Sequence, residues 1–213
     1  MRPEPPSRPR SRGGRPAAPF LVPLVVVAVA CGGKRVSRID PGAVTDLSGR
    51  WNDTDSRLVA NELIAQSLEN PWITTYRDGH GGEAPTVIVG TFRNRTLEHI
   101  PVQTFVRDLE RAFINSGSVT VVASSDQREE VRAERQDQQQ NAAADTRARL
   151  GQELGADYIL QGEIQSIEDE EGREKIVFYQ VDANLVSLES NAVIWAGQHK
   201  IKKYIERRRL GLD

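Results

Sequence analysis

Apolar residues change their spacing several times along this chain, and each change predicts a different element. Leu58, Val59, Leu63, Ile64 and Leu68 recur at helical spacing behind Asp53-Thr54-Asp55, which offers N-cap chemistry, and Asn70-Pro71 stops the run. Trp72-Ile73-Thr74-Thr75-Tyr76 reads as a short strand or an extended linker, and Arg77 to Ala84 as a Gly-rich loop. The dense β-branched run Thr86 to Phe92 predicts a strand, with a loop over Arg93 to Glu98. Pro101 then opens a helix over 101–115, in which Val102, Phe105, Val106, Leu109, Ala112 and Phe113 follow i, i+3, i+4, i+7 spacing. Asn115 and Gly117 end it, and Val119 to Ala123 predicts a second strand.

Ser124-Ser125-Asp126-Gln127 resembles a capping box that opens a very polar helix reaching about Gln138. Residues 136–144 are low in complexity, and Asp145 to Leu154 reads as a further helix ended by Gly155. From Ala156 onward the period becomes two. Strands are expected from Tyr158 to about Ile167, from Lys175 to Leu188 and from Ala192 to Tyr204. The turns between them fall on the acidic Glu168 to Gly172 and on Glu189-Ser190-Asn191. The expected fold class is α+β, a mixed sheet ending in an antiparallel meander with helices on one face.

The N-terminus changes the picture. Five arginines (Arg2, Arg8, Arg10, Arg12, Arg15) precede the uncharged run Phe20 to Ala30, and Ala28-Val29-Ala30 lead into Cys31, the chain's one cysteine. This order matches a secretory signal peptide, and the cysteine at the cleavage point makes it resemble a bacterial lipobox. The run is too short for a transmembrane helix, which needs about 20 apolar residues. The layout expected is a lipoprotein signal peptide over 1–30, then lipidated Cys31 and a short flexible tether over 31–50. A single globular α/β domain follows over 51–206, with a basic tail over 207–213.

Charge narrows the function classes. The chain holds 28 basic and 30 acidic residues, and the leader carries five of the basic ones and one acidic one. The remainder is therefore net acidic, which argues against nucleic acid as the partner. His80, His99 and His199 show no metal-ligand spacing, so no metal is expected. No GxSxG or SxxK motif offers an activated serine, and Gly79-His80-Gly81-Gly82 lacks the Lys-Ser/Thr ending of a phosphate loop. The chain is read as a non-enzyme without cofactor or small-molecule substrate.

Two places are candidates for contact with a partner. Asn94-Arg95-Thr96 follows a buried strand: it is either a binding loop on a rigid element or a turn whose Asn and Thr bond their own backbone. Trp195 either packs a strand face or touches a partner. The tail with Lys200, Lys202, Lys203 and Arg207 to Arg209 reads as lysine protection of an edge strand, or as a patch for anionic lipid or glycan.

Taken in order, several pieces resemble one family. They are Cys31, Trp51-Asn52, Val87 to Thr96, the helix 101–115 leading into Val119 to Ser124, Gly155 to Leu160, and Ala192 to Gly197. Together they resemble the LpoB-type activators of penicillin-binding proteins, outer-membrane lipoproteins with a TolB-N-like domain. The resemblance implies a lipid-anchored protein of the cell outer membrane that faces the periplasm. It would bind a class A penicillin-binding protein and raise peptidoglycan synthesis by favouring a more active enzyme state. Members known for this role carry a long Pro-rich tether, whereas this one is short. The alternative is therefore a subunit or assembly factor of an outer-membrane export complex, a role also found among TolB-N-like lipoproteins.

Overall fold

Five strands share one sheet in the order β2-β1-β3-β4-β5. The computed structural model describes residues 36–141 and 153–207. The chain divides into two compact units, 1–39 and 40–213. Residues 36–39 of the first carry no helix or strand, and the helices and strands of the described residues all lie in the second. Cys31, the leader, most of the expected helix over 145–154 and all but Arg207 of the basic tail lie outside the described residues.

Helix α1 (Asp53–Glu69) is capped one residue earlier than the sequence suggested. Asn52 Oδ1 accepts from the Asp55 amide at 3.1 Å, and Asp55 Oδ2 accepts from the Asn52 amide at 2.9 Å. This closes a capping box. Val59, Ala60, Leu63 and Ile64 form its buried stripe.

Helix α2 (Trp72–Gly79) replaces the expected strand or linker. Ile73-Thr74-Thr75 favours strand by propensity, but tertiary contact overrides it. A period of two would place Trp72 and Ile73 on opposite faces, yet both are buried. The Trp72 indole donates to Ser67 O at 2.8 Å and meets Tyr158 edge-on at 5.2 Å.

Strand β1 (Thr86–Asn94) runs two residues further than expected, into the predicted loop. Helix α3 (Val102–Ser116) buries Phe105, Val106, Leu109 and Phe113, and Gly117 ends it at φ +64°. That left-handed angle is one glycine adopts at little cost. Strand β2 is only Thr120–Val121, parallel to β1. Helix α4 (Ser125–Asn141) buries no residue. It is opened by Gln127, whose Oε1 accepts from the Ser124 amide at 3.1 Å.

Strands β3 (Tyr158–Glu171), β4 (Glu174–Ser187) and β5 (Val193–Glu206) form the expected antiparallel meander, with β3 parallel to β1. The acidic stretch is not the turn. Glu168 to Glu171 pair along β4, and the reversal is Gly172-Arg173, with Gly172 at φ +62°. A two-residue Gly-X connection suits the strand twist. Cations offset the carboxylates: Lys175 Nζ lies 2.6 Å from Glu168 and Arg207 3.2 Å from Glu170.

The core lies on one face of the sheet. Val87, Val89, Phe92, Leu160, Ile164, Val181, Ala183, Leu185 and Trp195 pack there with the stripes of α1 and α3. Alternation sends the intervening residues to the other face, which is polar in its central stretch, Gln161, Glu163, Gln180, Asp182 and Asn184, and apolar toward its ends at Ile159, Val186, Ile167 and Phe178.

Candidate functional site

The second half of β1 is irregular, and the irregularity shapes the loop after it. Val89 pairs with Leu160 and Phe92 with Gly162, so Gly90 and Thr91 together oppose Gln161. This bulge adds one residue to β1 and bends it. It returns Phe92 to the core, where its ring stands edge-on to Phe105 at 5.2 Å. Gly162 leaves room for that ring, since a Cβ there would lie 2.6 Å from Phe92 Cε1. Gly90 is constrained likewise, because a Cβ would lie 2.7 Å from Ile159 Cδ1.

Beyond the bulge, the loop holds itself rigid. Asn94 Oδ1 accepts from the Thr96 amide at 2.9 Å and from its hydroxyl at 2.7 Å. Asn94 Nδ2 donates to Glu98 O at 2.7 Å. These bonds set Glu98 against the core: its carboxylate accepts from the Trp51 amide at 3.1 Å and the Tyr179 hydroxyl at 2.6 Å. Burial, then that carboxylate, pushes the Tyr179 phenol well above its usual range. The Asn94 and Thr96 side chains are thus spent inside the turn.

What the loop offers outward is Arg95 and Leu97. The Arg95 amide is pinned to Ile164 O at 2.8 Å, while its side chain is 58% exposed and 3.6 Å from Glu163. Leu97 is 96% exposed. Glu163 connects this tip to a groove of about 370 Å³ on the helix-free sheet face, which Thr91, Arg93, Asp182 and Asn184 also line.

Trp195 lies elsewhere. It is 6% exposed, opposite Leu185, with its indole over Gly197. Asn94 pairs with Ile164, Ile164 with Val181 and Val181 with His199, which stands four residues along β5 from Trp195. The structure therefore does not bring Trp195 together with Asn94-Arg95-Thr96. Leu97, Arg93 and Glu163 escaped the sequence reading. A lone leucine among turn-forming residues was the available signal.

A second polar cluster secures the start of the sheet. Asp157 Oδ2 accepts from the Thr86 amide at 2.7 Å, the Thr86 hydroxyl at 2.6 Å and the Tyr76 hydroxyl at 2.8 Å. Burial works to raise the Asp157 pKa, but these bonds outweigh it and hold the carboxyl below its usual value. Burial and the Asp157 bond push Tyr76 up to about 12. The two groups act at opposite ends of the pH scale. Stability from Asp157 is lost as pH falls through its depressed pKa; stability from Tyr76 is complete below about 10 and lost as pH rises through about 12. Urea unfolding across pH 9–12 should show a falling free energy that Tyr76→Phe makes shallower. An identical slope in the variant would refute the assignment.

Among the described residues no group of three or more His, Asp or Glu side chains could hold a metal, and no helix is long and apolar enough to cross a membrane. His80 stacks on Tyr76 at 3.9 Å and bonds its carbonyl, away from the loop. The arrangement presents a rigid tip beside a polar groove.

A family model described as the peptidoglycan-synthase activator LpoB matches residues 55–201. The chain belongs to the LpoB family. The matched span takes in α1 through most of β5, and so the bulge, the loop tip and the groove. No curated protein sequence matches the chain. Among solved structures, the LpoB C-terminal domain from Escherichia coli is 15% identical, covering 70% of this chain and 99% of that one, with a TM-score of 0.44. The corresponding domain from Salmonella enterica is 18% identical over 70% and 99%, with a TM-score of 0.39. A solution structure of E. coli LpoB is 14% identical over 97% and 96%, also at 0.39. LpoB is a family of activators, which agrees with reading the chain as a regulator rather than an enzyme.

Proposed function

We propose that this LpoB-family chain is an outer-membrane lipoprotein, anchored through Cys31, that binds a class A penicillin-binding protein from the periplasmic side and raises its activity. The observation that carries this reading is the match of the activator family over residues 55–201. The contact we assign is the loop tip, Arg95 with Leu97, together with the groove beside Glu163. On a rigid turn the guanidinium and the apolar side chain are presented at little cost in backbone entropy on binding, the side chains' own rotamers being what remains to be fixed. Asn94 and Thr96 act by keeping that tip in shape.

The proposed layout keeps the leader over 1–30, the domain over 51–206 and the basic tail over 207–213. The end of the 31–50 tether is docked: Asp46 and Arg50 O both meet Lys203 Nζ, at 2.7 and 3.1 Å. Only roughly 15 residues separate Cys31 from that point, a reach of about 50 Å at full extension. The synthase must therefore extend toward the outer membrane to meet this domain.

Adding the purified lipoprotein to a class A synthase from the same cell should raise glycan polymerisation several-fold at saturation. Arg95→Glu with Leu97→Asp should weaken binding by about a hundredfold, roughly 2–3 kcal/mol, at an unchanged melting temperature. An absence of binding at about tens of micromolar would refute the reading. An unaffected double variant would move the contact elsewhere on the domain.

A further inference from the structure

The other side of β1 carries a feature that the loop tip does not use. Pairing with β2 covers only Thr86 and Val87, and the last bond across is Val122 N to Val87 O at 3.0 Å. From Val89 onward β1 has β3 on one side and a groove of about 300 Å³ on the other. The groove runs along the strand edge, walled by Val102 and Val106 of α3, to the start of α4. An open edge is a template for a further strand.

The charge at the far end of the groove indicates what kind of strand. Arg128 Nε is shielded from solvent and has no hydrogen-bond partner. The other charged side chains lining the groove are engaged: Arg107 holds Glu110 at 2.7 Å, and Asp126 accepts from the Ser125 hydroxyl at 3.1 Å. Glu153, across the far side of the guanidinium, feels its charge, but Nε keeps no hydrogen bond. A shielded guanidinium N–H left unbonded is costly, and a carboxylate satisfies it best. The N-terminal end of the α4 dipole adds to the attraction.

We propose that the free edge of β1 accepts an extended acidic segment of a partner protein, which adds as a strand beyond β2 and places a carboxylate on Arg128. The bulge at Gly90-Thr91 keeps the added ladder short, so the pairing with Arg128 supplies much of the specificity. The inference does not depend on which protein supplies the segment.

The test uses the full-length lipoprotein in living cells, with a photo-crosslinking amino acid in place of Gln103 on the groove wall and mass spectrometry to locate the attached segment. The same probe in place of Glu130, on the exposed side of α4, is the control. The expected result is attachment to one acidic, β-branched segment, with a yield that falls about tenfold in Arg128→Gln at unchanged melting temperature. Attachment to a basic or helical segment would overturn the proposal. So would attachment to a second copy of this chain, a yield no higher than at 130, or indifference to Arg128→Gln. An acidic segment from a protein other than a synthase would uphold this proposal and leave the synthase reading, which rests on the loop tip, to its own binding test.

Discussion

Lys203→Met is expected to destabilise the domain by about 3 kcal/mol, a large share of the roughly 5–15 kcal/mol typical of a whole domain. The Lys203 side chain is 10% exposed and its ammonium lies 2.6 Å from Asp55 Oδ2, in a side chain only 7% exposed. Burial pulls the Lys203 pKa down, but the bonds to Asp46 and Asp55 outweigh it and leave it above the usual value. Asp46 is held below its usual value chiefly by its bond to Lys203; burial opposes this, and the bond to Asn52 adds a lesser downward pull. Removing the ammonium leaves Asp55 buried without its cation, and that orphaned charge is the main cost. The loss spreads because Asp55 also closes the capping box of α1.

Linkage bounds the pH range of the effect. Stability from Lys203 is lost only as pH rises through its raised pKa, and stability from Asp46 only as pH falls through its lowered one, so the full cost should be present at neutral pH. Urea unfolding of wild type, Lys203→Met, Asp55→Asn and the double variant would measure it. The double variant should recover part of the loss, since no buried charge remains. A loss below about 1 kcal/mol would mean that water screens the cluster as it does a surface pair.

Lys203 also shows where sequence reading stops. By pattern it is one of several lysines on an edge strand, and Lys200 and Lys202 are exposed as that pattern implies. Its partners lie 148 and 157 residues earlier, and no local signal joins them. The features read correctly were those that local periodicity determines: the apolar stripe of α3, the β-branched run of β1 and the alternating meander. Helix α2 was missed because Ile73-Thr74-Thr75 follow strand propensity while Trp72 is held by Ser67 and Tyr158. The acidic hairpin was missed because ladder pairing and nearby cations, rather than propensity, keep Glu168 to Glu171 extended. Near the candidate site, Asn94-Arg95-Thr96 was visible as turn chemistry after a strand. The bulge that aims it depends on packing of Phe92 over Gly162, a relation between β1 and β3 that period-two reading does not contain.

Cys31→Ser is expected to move the protein from the membrane fraction to the soluble periplasm and to abolish incorporation of labelled palmitate. The argument begins with what else could hold the chain. The apolar run Phe20 to Ala30 is about half the length needed to span a bilayer, and no helix among the described residues is long and apolar enough to do so. On the proposed reading, attachment rests on acyl chains at Cys31, each contributing about 0.8 kcal/mol per buried methylene, and several chains hold stably where one does not. Serine cannot form the thioether that carries them. In cells the variant should lose most synthase activation, because anchoring confines the domain near the membrane and release dilutes it. In solution the same purified variant should activate as wild type does, since the Arg95-Leu97 tip and the groove are untouched. Membrane retention of Cys31→Ser would instead mean that the apolar leader stays uncleaved and inserted. Loss of activation in solution as well would mean that the lipid takes part in the contact itself.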